Sequence, residues 1–408
     1  MSRLDTSFVR SQFPAYAFDE WRDAAFFENA GGSLPCRQVV DRLGEYYRRL
    51  KVQPYHAYPA AQEAGAWMDA AYVRIAEYLG VTSDEVQFGP STSQNAYVLA
   101  QAFRRRLRPG DEIVVTDQDH EANSGAWRRL AENGIVVREW RVQRDSGSLD
   151  PADLDALLGP RTRLVAFPQV SNLLGEVNPV TAICAKIRAA GAVSVVDGVS
   201  YAPHGLPDVP ALGADIYLFS AYKTFGPHQG VMVIRRPLLD ELGNEAHYFH
   251  APLPHRRYVP AGPDHAQVAA MTGIAEYFDV LDAHHGGGDV SGRAARVRAL
   301  LGDDAALLQP ILEFVDAHPA LRLLGPRSAH TRAGLVAFVP AATPPLALVE
   351  TLGRDGVLTG SGNFYSTRLC EALGIDPALG VVRVSLAHYN TATDVDRLLT
   401  SLARALGS

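Results

Sequence analysis

Two side chains with complementary chemistry follow neighbouring strands in the middle of the sequence. Asp197 ends the apolar run Val195-Val196, and Lys223 comes shortly after a second apolar run at 216–219. Because functional groups collect at the carboxyl ends of strands in such a sheet, the sequence predicts that a carboxylate and an amine share one site. A lysine amine forms a Schiff base with an aldehyde, and a carboxylate holds a pyridine nitrogen protonated, which are the two tasks of pyridoxal phosphate (PLP) chemistry. On spacing alone, a surface ion pair is the commoner explanation.

The residues around this pair favour the catalytic interpretation. VDG is followed by APH, and Lys223 lies within FSAYKTFGP. Both segments resemble the core of the class V aminotransferase and cysteine desulfurase superfamily, where the usual wording is VDGAQxxPH and SGHKxxGP. The resemblance implies a PLP-dependent enzyme with Lys223 and Asp197 as catalytic residues, and further contacts to the cofactor from Ser200, Ser220 and Tyr222.

A hydroxyl-rich turn, GPSTS at 89–93, precedes a helical pattern. Free amide groups and the positive end of the helix dipole make such a turn a ready anion site, although ordinary N-capping also explains a serine or threonine there. In the superfamily the matching GTT turn holds the PLP phosphate. The resemblance therefore implies this role for Thr92 and Ser93, while Ser91 stands where the family often has glycine.

Two further segments extend the resemblance. DQDHEAN matches the family's E-x-x-H-x-A-N, which implies that His120 stacks on the PLP ring and relays protons, although a lone histidine at a strand end is more often structural. QVSNLLGEVNP is similar to HVSNxxGxxNP, whose first asparagine, here Asn172, donates to the phenolic oxygen of PLP.

The substrate side is implied by segments near the two ends of the chain. FFENAGGSLP reads as a short strand and a tight turn, and the resemblance puts Ala30 and Gly31 beside the substrate. VVRVSLAHYNT resembles R-x-S-x-x-x-Y-N-T, which implies that Arg383 binds the substrate α-carboxylate in a fork geometry. A salt-bridged strand arginine is the alternative. Asn172 and Tyr365 complete the expected substrate side.

Departures from the family's wording bear on the reaction. Ser200 replaces a common glutamine, Tyr222 replaces the histidine before the lysine, and Pro263 replaces a threonine that reaches the neighbouring subunit's phosphate. Tyr365 stands where cysteine desulfurases carry the cysteine that accepts sulfur as a persulfide. Cys370 lies on the apolar side of a helical pattern, which favours a buried thiol. The chain resembles a cysteine desulfurase-like branch that lacks the loop cysteine.

Strands that alternate with helices argue for an α/β fold with a mostly parallel sheet covered on both faces. The resemblance implies the PLP-dependent transferase fold type I, with a seven-stranded sheet in the large domain and a smaller α+β C-terminal domain. We expect an N-terminal arm at 1–25, a large PLP-binding domain at 26–285 and a small domain at 286–408.

Composition excludes several classes of function. The 408 residues carry a formal net charge of -7, which gives no support to nucleic-acid binding. No apolar stretch reaches the ~18 residues of a membrane span, and three cysteines without metal-ligand spacing fit a reducing compartment, so a cytoplasmic protein is expected. The histidines at 247, 250, 284 and 285 lack carboxylate or cysteine partners nearby, and no metal is expected.

These observations lead to one functional hypothesis with alternatives. The protein is expected to act on a small α-amino acid through an external aldimine, as a C–S lyase that works by elimination and without a persulfide cysteine. An aminotransferase, an epimerase and a carbon–carbon bond-forming cyclase use the same residues, and a non-catalytic PLP-fold scaffold is a different class. A homodimer with active sites near the subunit interface is expected, with no nucleic-acid or membrane partner.

Overall fold

The computed structural model describes residues 4–407. Residues 1–3 of the predicted arm and residue 408 of the predicted C-terminal domain lie outside the described residues.

The strands of this described range form three sheets. In chain order they are β1 (Ala25–Phe26), β2 (Val86–Gly89), β3 (Glu112–Thr116), β4 (Val136–Trp140), β5 (Thr162–Pro168), β6 (Val193–Asp197), β7 (Ile216–Ser220), β8 (Gly230–Ile234), β9 (Leu321–Leu324), β10 (Leu335–Pro340), β11 (Val357–Leu358), β12 (Gly360–Gly362) and β13 (Val381–Ser385).

Sixteen α-helices lie among the described residues. They are α1 (Thr6–Ser11), α2 (Asp19–Arg22), α3 (Arg37–Glu45), α4 (Pro59–Leu79), α5 (Thr92–Arg104), α6 (Glu121–Arg128), α7 (Val180–Ala189), α8 (Val209–Leu212), α9 (Arg236–Leu242), α10 (His265–Ala270), α11 (Thr272–His284), α12 (Arg293–Leu301), α13 (Ala305–Ala317), α14 (Pro345–Arg354), α15 (Thr367–Ala372) and α16 (Ala392–Leu406).

The largest sheet confirms the predicted fold class. Seven strands lie in the order β2-β8-β7-β6-β5-β3-β4, and β8 is the strand that runs against its neighbours. Strand β7 is buried along its whole length and β6 at every residue but Val193, as expected of a sheet that helices cover on both faces. Two hydrophobic clusters lie on its opposite faces. The successive residues Val195 and Val196 of β6 point to opposite faces of the sheet, and each belongs to a different cluster.

A smaller four-stranded antiparallel sheet, β12-β13-β10-β9, forms from residues 321–385. Beside it, β1 pairs in parallel with β11, so Ala25 and Phe27 pack in the same core as Val382 and Leu402. We expected the large domain to begin at residue 26, but this pairing puts residues 25–27 against the C-terminal layer. The pairing joins segments more than 300 residues apart, which a local sequence pattern does not reveal.

The start of the chain packs on the body of the same molecule. Phe13 is buried and makes edge-to-face contacts with the rings of Phe225, Tyr277 and Tyr389. Arg10 forms an ion pair with Asp394. Helix α1 and the residue Phe13 after it therefore pack on side chains from distant parts of the same chain.

One predicted helix is divided. The sequence predicts a single long helix from His265 onward, whereas the structure has α10 and α11 on either side of Met271. Among the described residues, no helix combines the length and the hydrophobicity that a bilayer span requires.

Candidate active site

The carboxyl ends of β6 and β7 deliver the predicted pair of functional groups. β6 ends at Asp197, and β7 ends at Ser220, where a single 3-10 turn, Ala221–Lys223, brings the lysine back over the sheet edge. Both side chains border one cavity of about 390 Å³. The other predicted cofactor-binding residues share its lining, namely Thr92, Ser93, His120, Asn172, Ser200, Ser220 and Tyr222.

Burial controls the protonation of the central pair. Loss of water lowers the pKa of Lys223 to about 8, helped by the charge of Arg383 and opposed by Asp197. Burial raises the pKa of Asp197, and the charge of Lys223 opposes that rise. A lysine with a depressed pKa is a better nucleophile near neutral pH, which suits Schiff-base formation.

A second carboxylate, that of Asp119, lies close enough to Asp197 for the charge of Asp197 to raise its pKa. Asp119 is buried, and burial together with the charge of Asp197 raises its pKa well above the usual range. One of its oxygens accepts a hydrogen bond from Asn123 Nδ2 (2.7 Å), while the other has no hydrogen-bond partner. Asp119 was not among the predicted site residues, although Asp119 directly precedes His120 in the segment DQDHEAN.

His120 is held in one orientation at the start of α6. Its Nδ1 accepts a hydrogen bond from the backbone N–H of Ala122 (3.0 Å), so a proton on the ring belongs on Nε2. Burial, with the positive charges of Lys223 and Arg383, lowers its pKa to about 3. The imidazole is therefore neutral at physiological pH and offers one N–H donor.

The opposite end of the cavity is built for an anion. Ser91 caps α5 by accepting from the backbone N–H of Gln94 (3.1 Å), and the hydroxyls of Thr92 and Ser220 lie 2.7 Å apart. β8 passes directly beneath this turn. A Cβ on Gly230 would lie 2.3 Å from the carbonyl carbon of Ser91, so only glycine lets strand and turn approach so closely.

Asn172 connects the cavity wall to the segment at 363–366. Its Nδ2 donates to the carbonyl of Phe364 (2.9 Å), and its Oδ1 accepts from the hydroxyl of Ser366 (2.8 Å). The amide retains a second N–H, so the predicted donation to a cofactor oxygen stays possible. These two hydrogen bonds were not predicted from the sequence.

The segment that carries Tyr365 is fixed at several points. Phe364 and Tyr365 have positive φ values of 49° and 61°, and the side chain of Asn363 accepts from the backbone N–H of Tyr365 (3.0 Å). The carbonyl of Tyr365 accepts from the backbone N–H of Glu121 (2.9 Å). Its ring is 72% exposed and faces the ring of His120 at 5.2 Å. The phenol therefore borders the mouth of the cavity.

Arg383 lies behind the cavity wall and already has a carboxylate partner. Its side chain is 2% exposed, Nη2 donates to Glu28 Oε1 (2.8 Å), and Nη1 donates to the carbonyl of Asn172 (3.1 Å). The ring of Phe364 covers the guanidinium at 3.6 Å. Both the predicted role in substrate binding and the alternative of a salt-bridged strand arginine are compatible with this geometry.

Ala30 and Gly31 also lie outside the cavity lining. The backbone N–H of Ala30 donates to Ser385 Oγ (2.8 Å), and Gly31 packs against the Glu28 side chain. The buried amide of Asn29 donates to the carbonyl of Ser385 (2.7 Å). The NAG turn is thus tied to the end of β13, which fixes its distance from Arg383.

The replacements noted in the sequence have structural counterparts. Ser200 is half-buried at the cavity, and the ring of Tyr222 stacks on His228 at 4.7 Å. Burial raises the pKa of Tyr222. His228 also lines the cavity and was not among the predicted site residues.

The chemistry of these donors fits PLP. Lys223 supplies the amine, Asp197 a buried carboxylate for a pyridine nitrogen, and His120 an aromatic face. Hydroxyl groups and free amides at the start of α5 suit a phosphate. Within residues 4–407 there is no cluster of three or more metal-ligating side chains.

Comparisons with known proteins agree with this assembly. The chain is 33% identical over 414 residues to the "Aminotransferase-like protein FGM3" of Gibberella zeae, covering 98% of each. It is 31% identical to a "Cysteine desulfurase" of Pectobacterium atrosepticum, covering 97% of each. The crystal structure of the cysteine desulfurase CsdA from Escherichia coli matches with a TM-score of 0.81 and 25% identity, over 100% of this chain and 99% of that one.

The family-level match spans most of the sequence. Residues 25–286 and 289–398 match the family described as "Aminotransferase class-V". Class V aminotransferases and cysteine desulfurases use PLP. The chain therefore belongs to the class V aminotransferase family and is a PLP-dependent enzyme.

Proposed function

We propose that this enzyme acts on a small α-amino acid and cleaves a carbon–sulfur bond by elimination, without a persulfide-forming cysteine. The observation that carries the proposal is the chemistry at position 365, where an exposed phenol borders the cavity and no thiol does. A phenol oxygen cannot hold a sulfane sulfur as a cysteine thiolate does.

The cysteines of the chain support the same conclusion. All three are free and buried, and burial raises the pKa of Cys36 to about 12 and those of Cys184 and Cys370 to about 11. Cys370 lies five residues beyond Tyr365, but it is enclosed within α15 and the hydrophobic core. A thiolate nucleophile needs a lowered pKa and access to the substrate, and these thiols have neither.

The proposed roles follow from the positions of the side chains. When bound, PLP supplies the electron sink at the substrate Cα. Lys223 moves the proton at Cα, and Asp197 holds the pyridine nitrogen protonated. His120 offers an Nε2–H at the cavity, and Arg383 holds the α-carboxylate, which selects the bond at Cα that breaks.

The reaction balances without a cysteine or an oxidant. The Cα–H and Cβ–S bonds of the substrate break, the sulfur leaves as sulfide or as a thiol, and the resulting enamine reacts with water to give a keto acid and ammonia. Transfer to a protein persulfide would instead leave alanine when the substrate is cysteine.

The test combines product analysis with a cysteine-free variant. With L-cysteine as substrate, the proposal expects pyruvate, ammonia and sulfide in equal amounts, and unchanged products when Cys36, Cys184 and Cys370 are all replaced by alanine. Melting temperature and the PLP spectrum serve as controls for folding. Alanine as product, or loss of activity on Cys370→Ala alone with fold and spectrum intact, would overturn the proposal.

Transamination is the second candidate, and the similarity to an aminotransferase-like protein favours it. It would require a keto-acid acceptor and would release no sulfide. We further propose a cytoplasmic homodimer with active sites near the subunit interface. Exposed apolar side chains at Tyr248 and Phe249, 87% and 58% exposed, support such an interface, and the molar mass in solution tests it.

A further inference from the structure

The carboxylate site expected for the substrate is already filled from within the chain. Of the two terminal nitrogens of Arg383, one donates to Glu28 and the other to the carbonyl of Asn172. Phe364 covers the guanidinium face, and Nε is buried without a partner. Because Glu28 and the Asn172 carbonyl each already accept from one terminal nitrogen, a substrate carboxylate that binds these two nitrogens in the fork geometry competes with Glu28 for the guanidinium.

The position of Glu28 is built into the fold. Its backbone forms a bridge to Ser385 in β13, and Ser385 N–H donates to the carbonyl of Phe27 (2.7 Å). Its carboxylate fits between two glycines, because a Cβ on Gly31 would lie 2.3 Å from Oε1 and one on Gly360 would lie 2.2 Å from Oε2. The two glycines leave room that the carboxylate fills.

The same carboxylate acts on the centre of the site. Its second oxygen, Oε2, is buried and has no hydrogen-bond partner, while the side chain as a whole is 27% exposed. The charges of Glu28 and Arg383 act on the pKa of Lys223 in opposite directions, the first raising and the second lowering it. In the free enzyme Glu28 and Arg383 thus form an ion pair with no net charge.

We propose that Glu28 is a specificity-determining residue that competes with the substrate carboxylate for Arg383. An α-amino acid must displace Glu28, whereas a primary amine that lacks the carboxylate leaves the ion pair closed. The enzyme therefore discriminates only weakly between the two classes and accepts small primary amines. This inference rests on the proposed role of Arg383 as the carboxylate site.

Three small ligands separate the contributions. L-alanine carries both groups, ethylamine lacks the carboxylate, and propionate lacks the amine. Binding of alanine and ethylamine to the holoenzyme is followed by the absorbance of bound PLP, and binding of propionate by calorimetry. In the wild type, we expect the dissociation constants of alanine and ethylamine to lie within ~10-fold of each other.

Two variants release Arg383 by different routes. Glu28→Gln removes the competing charge, and Gly360→Ala keeps that charge but forces the carboxylate from its place. Each variant should tighten the binding of propionate and alanine by ~10-fold, because about one charge-assisted hydrogen bond between Glu28 and Arg383 no longer has to be broken. Ethylamine binding should not become tighter. Glu132→Gln, which removes an exposed charge from a residue outside the cavity lining, should leave all three constants unchanged.

Unchanged or weaker binding of propionate and alanine in Glu28→Gln would overturn the proposal. Tightening in Glu28→Gln without tightening in Gly360→Ala would also overturn it, because net charge would then explain the effect. If Glu28→Gln does not fold, Gly360→Ala decides. If neither amine perturbs the PLP absorbance, the proposed function fails, while tighter propionate binding in the variants would still support competition at Arg383.

Discussion

Gly230→Ala should weaken PLP binding through one added methyl group. In the folded protein this methyl would lie 2.3 Å from the carbonyl carbon of Ser91 and 2.5 Å from the backbone nitrogen of Thr92. Ordinary carbon contacts need ~3.5 Å, so strand and turn must separate by roughly 1 Å. Overpacking of this kind costs ~1–3 kcal/mol. Because β8 is hydrogen-bonded to a strand on each side from Gly230 onward, we expect the turn to take the strain and PLP affinity to fall by roughly 10- to 100-fold.

The assay is a titration of the apoprotein with PLP, together with the melting temperature before PLP is added. Gly353→Ala is the matched control, because Gly353 is exposed in α14 and an added Cβ meets no atom within 4 Å. It should leave the PLP dissociation constant unchanged. An unchanged constant in Gly230→Ala would refute the assignment of the Ser91–Thr92 turn as the phosphate site, whether or not the melting temperature falls.

Two other variants test the site, and a third tests how the stability of the fold depends on pH. Asp197→Asn should keep part of its PLP but lose most turnover, since a neutral amide no longer favours a protonated pyridine nitrogen; near-normal turnover would make Asp197 structural. Arg383→Lys should raise KM and lower kcat, with kcat/KM reduced by ~10- to 100-fold, and unchanged kinetics would remove Arg383 from the substrate site. Burial lowers the pKa of His388 to about 3. Below pH ~6.5 its imidazole is therefore protonated in the unfolded chain but stays neutral in the folded chain, and stability is lost as the pH falls. The free energy of unfolding in urea should therefore fall less between about pH 7.5 and about pH 5.5 in His388→Gln than in the wild type, and equal losses would contradict the assigned shift.

Runs of apolar residues in the sequence predicted the strands whose formation depends on residues close together in the chain. Glu112–Thr116 forms a strand with the predicted bounds and is buried along its whole length, because a strand covered on both faces needs a largely apolar sequence. Val136–Trp140 also forms a strand with the predicted bounds, but it lies at the edge of the sheet and is only partly buried. The predicted cofactor-side residues gather at one cavity, and most of them were predicted from the resemblance of their segments to the superfamily. Their contacts with the cofactor stay a prediction.

Long-range pairs could not be predicted in this way. Glu28 and Arg383 are 355 positions apart, and each has an ordinary local context, so nothing in the sequence indicates that they meet. The bond from Asn172 to Phe364 spans 192 positions. Such contacts depend on how the small sheet docks against the large one, which periodicity does not encode.

The central claim is that PLP is carried by Lys223 at the edge of the large sheet. The chain has three lysines, and Lys51 and Lys186 are solvent-accessible, whereas Lys223 is buried beside Asp197. Borohydride reduction of the holoenzyme followed by peptide mapping should therefore find a pyridoxyl group on Lys223. A pyridoxyl group on Lys51 or Lys186, with Lys223 unmodified, would contradict the account.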